Sequence, residues 1–89
     1  MTTHTSHPDI IKRLKRAEGH LKKVISMLET ESSCLDIAQQ LHAVEKAISN
    51  AKTILVHDHI DHCLEHAVHD DTKHSADTIR EFKAITKYL

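Results

Sequence analysis

Apolar residues recur at alternating steps of four and three along two stretches of this 89-residue chain. Ile10, Leu14, Ala17, Leu21, Val24 and Leu28 form the first stripe, and Ile37, Leu41, Val44, Ile48, Ala51 and Leu55 the second. Heptad-like spacing puts each set on one face of a helix and predicts bundle packing. The first helix is expected from about Pro8 to Glu29, with Pro8 in the first turn, where its missing N–H costs nothing. A polar run from Glu29 to Ser33 ends it, and Ser32 or Ser33 can cap the next helix. The second helix then runs from about Cys34 to His69 without Gly or Pro, long for a globular protein and suited to a bundle or coiled coil. A third is expected after the polar break His69–Lys73, with Ala76, Ile79, Phe82, Ile85 and Leu89 as its apolar face. The predicted fold class is all-α, three helices per chain.

Composition sharpens that picture in one respect. The chain has 39% hydrophobic residues, one Phe, one Tyr and no Trp, so a lone copy would bury a thin core. Association with further copies is the expected remedy. Residues 1–8 read as a flexible arm carrying His4 and His7, and residues 9–89 as a single three-helix domain. No apolar stretch is long enough to span a membrane, and the polar start is no signal peptide, so a cytoplasmic location is expected. Two cysteines in such a chain point to metal or redox chemistry before a structural disulfide.

The net charge of −1 hides an uneven distribution. Lys12, Arg13, Lys15, Arg16, Lys22 and Lys23 crowd residues 10–25 against the single Glu18. Residues 57–71 hold Asp58, Asp61, Glu65, Asp70 and Asp71 among His57, His59, His62, His66 and His69, with no Lys or Arg. One region attracts polyanions and the other cations.

His59 and Cys63 sit four apart in LVHDHIDHCLEHA, on one helical face, where both can hold the same ion. Steps of four from Leu55 lead straight to them, so they extend the apolar seam. Cys34 lies 25 residues before His59, roughly 37 Å along an unbroken helix. Metal–ligand bonds span only about 2.0–2.3 Å. If the three residues meet at one ion, Cys34 must come from another copy lying antiparallel. Two thiolates and an imidazole form a soft set suited to Cu(I), and added nitrogen ligands would suit Ni(II), Co(II) or Zn(II). The plainer alternative makes Cys63 a small buried hydrophobe and His59 a solvated residue. His62 and His66 read as solvated imidazoles, and His20 and His42 as packing or hydrogen-bonding residues. A Cys–His pair can also serve as nucleophile and base. A narrow bundle without a Gly-rich turn, however, offers no oxyanion site, so no enzyme is expected.

The segments RLKRAEGHLKKVISMLE, CLDIAQQLHAVEKAISNAK and HDHIDHCLEHAV resemble the CsoR/RcnR family of bacterial metal- and thiol-responsive repressors. The resemblance runs from about Asp9 to the end. It implies an antiparallel four-helix-bundle homodimer, assembling as a dimer of dimers into a homotetramer. It also implies an inducer site between subunits, with Cys34 from one and His59 and Cys63 from the other, and with Glu81 of the third helix supporting the site from behind. Copper sensors of this family carry Tyr before the first Cys, where Ser33 stands here. The nickel and cobalt branch adds a histidine near the amino terminus. Thr2 occupies the aligned position, and His4 is a shifted candidate. The formaldehyde-sensing branch needs Pro after Met1, and Thr2 is there instead. A persulfide sensor would use Cys34 and Cys63 without needing His59, and a metal buffer would need no DNA.

No helix-turn-helix, zinc finger or basic zipper is present. The basic cluster, taken alone, reads equally well as an ordinary solvated face. Repeated by symmetry it would release many counterions from a duplex. Arg13 matches a position the resembled family uses for operator DNA. Lys12, Lys15, Arg16 and Lys52 are candidate phosphate contacts beside it, while Asn50 stands where some relatives have Arg. The expected function is a repressor that binds operator DNA when metal-free and releases it on binding an inducer ion, Cu(I) before Ni(II) or Co(II).

Overall fold

The computed structural model describes residues 6–69 and 72–89, and it is helical almost throughout. Helix α1 spans His7–Glu29, α2 spans Cys34–His69 and α3 spans Thr72–Ile85, followed by a 3₁₀ turn at Thr86–Tyr88. The expected all-α, three-helix class is the class observed. Two boundaries shift. α1 begins at His7, inside the stretch read as an arm, and α3 begins at Thr72, inside the stretch read as a polar break. His4 lies outside the described residues, as does the side chain of His66.

The connection between α1 and α2 is built by local hydrogen bonds. Ser32 N–H donates to the Met27 carbonyl (2.9 Å) and Glu31 N–H to that of Leu28 (3.3 Å). These two bonds, with Glu31 in the left-handed region at φ 56°, make a Schellman ending. Ser33 then caps α2, its Oγ accepting from the Asp36 N–H at 3.2 Å. Of the two candidate serines, Ser33 does the capping, which makes Cys34 the first helical residue.

The chain divides into two compact units, one of His7–Lys52 and one built mainly on Thr53–Leu89, with α2 contributing to both. In the first, α1 and the opening of α2 lie side by side. His20 Nε2 meets Gln40 Oε1 at 2.6 Å, as its reading as a hydrogen-bonding residue requires. Ile10, Ala17 and Val24, spaced by sevens, are buried, together with Val44 and Ala51. The other half of each stripe is not covered. Leu14, Leu21, Leu28, Leu41 and Ile48 are exposed. A single neighbouring helix can shield only one flank of a heptad stripe, which leaves the second flank bare.

Among the described residues of the second unit, Val56 and Cys63 are buried. Val56 takes the place expected for Leu55, which is exposed. The apolar face expected of α3 is only half covered. Phe82 and Ile85 are partly buried, whereas Ala76, Ile79 and Leu89 are exposed. No helix among the described residues is long and apolar enough to cross a membrane.

Candidate metal centre

Helical spacing brings His59 and Cys63 to one side of α2, one turn apart. α3 contributes the third member. A ligand atom from each of His59, Cys63 and Glu81 lies within 4.8 Å of the other two. His59 Nε2 is 3.6 Å from Glu81 Oε2. The ring of His62 stands 6.5 Å from that of His59, centroid to centroid, tilted at 48°.

The environments of the three groups differ. Cys63 is only 2% exposed, His59 is half-buried, and Glu81 faces solvent with 66% of its side chain. Burial, and after it the nearby Glu81 carboxylate, pushes the Cys63 thiol above its ordinary pKa. The thiol is therefore held protonated in the metal-free chain, and an ion that binds there must displace the proton. A carboxylate close to a histidine nitrogen fixes the ring's orientation and raises its basicity as a ligand. Glu81 lies near enough to His59 for such a contact, and its oxygen is also near enough to serve as a ligand itself.

Beside His59 lies a shallow hollow of about 300 Å³, lined by His59, Glu81, Ala84, Ile85 and Tyr88, with almost wholly apolar walls. Ile85 was read only as part of the apolar face of the third helix, and Ala84 and Tyr88 had no part in the reading of the sequence. Their spacing was the available signal, because they follow Glu81 by three, four and seven residues and so share its helical face.

The other expected ligands are Cys34 and His4. Cys34 is exposed at the start of α2 and is not among the three gathered residues. His4 lies outside the described residues. Lys12, Arg13, Lys15 and Arg16 are all exposed on α1, and Lys52 is exposed on α2. Arg13 Nε donates to Asp9 Oδ2 at 2.8 Å. That bond, with help from the charges of Arg13, Lys12 and Arg16, holds the Asp9 carboxyl below its usual pKa. A cavity between the two helices is lined by Arg13, Arg16, Ala17, His20, Ala47 and Asn50. It places Asn50 beside two of the expected DNA-contacting arginines.

An all-helical chain that gathers an imidazole, a buried thiol and a carboxylate at one point has the make-up of a helical metal-binding protein. Comparison with known proteins narrows the class. Residues 6–88 match the family described as metal-sensitive transcriptional repressors, and the chain belongs to that family, the CsoR/RcnR family. It is 40% identical over 60 residues to the copper-sensing transcriptional repressor CsoR of Mycobacterium ulcerans, covering 67% of this chain and 51% of that one. It is 35% identical over 80 residues to the CsoR of Bacillus subtilis, covering 88% and 79%. The chain thus spans about half the length of the mycobacterial relatives it matches. Its fold matches that of the nickel-responsive transcriptional regulator InrS with a TM-score of 0.83, at 23% identity, over 100% of this chain and 99% of that one.

Proposed function

We propose that this protein represses transcription by binding operator DNA in its metal-free form and lets go when a transition-metal ion enters the His59–Cys63 site. The observation that carries this reading is the convergence of His59, Cys63 and Glu81 within 4.8 Å in a chain of the repressor family. Three donors of this kind leave room for another ligand. Cys34 is the remaining thiol, and it begins the same unbroken helix that carries His59 and Cys63. Along an ideal helix the 25 residues from Cys34 to His59 would span roughly 37 Å, so we assign Cys34 to the site of a second copy lying antiparallel. The bare flanks of α1 and α2 supply the apolar surface that such a four-helix dimer needs, and a dimer of dimers would repeat it.

The donor set of two thiolates and one imidazole fits Cu(I) best. Names of the relatives agree, since both CsoR proteins are copper-sensing. A second reading has one observation in its favour. The oxygen of Glu81 lies within ligand reach, and an oxygen or nitrogen donor suits Ni(II) or Co(II), with His4 completing the set. A persulfide sensor would rest on Cys34 and Cys63 alone, and His59 would then have no task.

When bound, the ion supplies a cross-link between two chains. The chain's own residues do the rest. Glu81 steadies the His59 ring, Cys63 gives up its proton, and α2, which carries both His59 and Cys63, is the element through which the ion would act. Arg13, Lys12, Lys15, Arg16 and Lys52 hold phosphates in the metal-free state. Ion and DNA then oppose each other with a reciprocal coupling of about 1–3 kcal/mol, roughly 5–150-fold in DNA affinity.

Fluorescence anisotropy with the chain's own upstream DNA, at several salt concentrations and with each ion in turn, tests the reading. Cys34→Ala and His59→Ala should bind that DNA as the parent does and fail to release it when metal is added. Normal release by either variant would overturn the site. Release by persulfide but by no metal would favour the thiol reading, and metal binding without DNA affinity would make the protein a metal buffer.

A further inference from the structure

Leu35 stands directly after Cys34, with 68% of its surface open to solvent. Among the described residues no other leucine or isoleucine within the helices is so exposed. Ile37, not Leu35, is the half-buried residue of that turn. The apolar hollow beside His59 is the complementary feature, a depression whose Ala84, Ile85 and Tyr88 walls have nothing polar to offer but the rim. Leu35 and His59 are separated by roughly 36 Å of continuous α2.

We infer that Leu35 of one copy seats in the hollow formed by His59, Glu81, Ala84, Ile85 and Tyr88 of a second copy, and that this contact guides Cys34 to the site. The inference rests on the reading that Cys34 joins another chain's His59 and Cys63. Given that reading, the geometry follows from chain connectivity. Consecutive Cα atoms are about 3.8 Å apart, so a Cys34 brought to the ligands carries Leu35 to the edge of the hollow, which begins at His59. An apolar occupant suits the hollow, because Ala84, Ile85 and the Tyr88 ring offer it apolar surface. The contact belongs to the metal-free dimer as well as to the loaded one, so it orders the thiol before any ion arrives and lowers the cost of closing the site.

Two cross-linking measurements separate this inference from the reading beneath it. In the first, the unaltered chain is oxidised with diamide, and a Cys34–Cys63 disulfide between chains is sought by non-reducing electrophoresis and peptide mapping. In the second, Leu35→Cys and Ala84→Cys are placed together in a Cys34→Ala, Cys63→Ala background and oxidised likewise. Leu35→Cys alone in that background sets the level of chance collision. The expected result is a shift from monomer to covalent dimer in both, with the 35–84 link identified in the second. A Cys34–Cys63 dimer with only the chance level of 35–84 linkage would overturn the seating of Leu35 and leave the shared site standing. Absence of both would sink the shared site, and the inference with it.

Discussion

A thiol that is 2% exposed and next to a carboxylate is a poor nucleophile and a selective ligand, because only an ion that repays the lost proton can occupy it. The sign of its pH dependence follows from the upward push on Cys63. Below the raised value the thiol keeps its proton, so metal affinity should climb with pH by about tenfold per unit for that one proton. Competition titrations across neutral pH should therefore give a plot of log affinity against pH that is steeper for the parent than for Cys63→Ala, by about one. Equal slopes would mean that Cys63 surrenders no proton to the ion. The same shift bears on the fold, since a raised thiol contributes stability that is present at lower pH and is lost as alkali ionises it. His59 and Cys63 were legible in the sequence because four residues is one helical turn. The nearness of Glu81 was legible only through the family resemblance, since no spacing rule connects positions on two different helices.

At the scale of the element, the limits of α2 could be read from its punctuation. Ser33 supplies a cap, and neither Gly nor Pro occurs anywhere after it in the chain. The way α1 ends could not. A Schellman ending usually advertises itself with Gly or Asn at the left-handed position, and here that position is Glu31, at φ 56°. A side chain with a Cβ pays for that conformation with roughly 1–2 kcal/mol, partly offset by the greater freedom glycine has when unfolded. Glu31→Gly should raise the stability of the chain by about 0.5–1 kcal/mol, seen as a higher urea midpoint at fixed protein concentration. A lower midpoint would show that the Glu31 side chain supports the turn in a way its backbone angle does not reveal.

For the whole molecule, the stripe read from the sequence is wider than one chain can bury. Ala17 and Val24 are covered while Leu14 and Leu21 are not, although all four belong to the same pattern. Periodicity reports which face is apolar, and it is silent on which flank of that face a given neighbour covers. If the bare flanks meet between copies, Leu21→Lys should convert the assembled protein to monomers in sedimentation velocity and leave α-helical circular dichroism largely in place. An assembly that survives Leu21→Lys unchanged would place the contact elsewhere.

If the uncovered leucines pair copies as proposed, they also tie responsiveness to abundance. A detector whose parts are completed only by pairing exists in proportion to how often its halves find each other. Scarce chains would be deaf and abundant ones sensitive, so the rate at which a cell makes this protein would itself set the threshold at which it hears the signal.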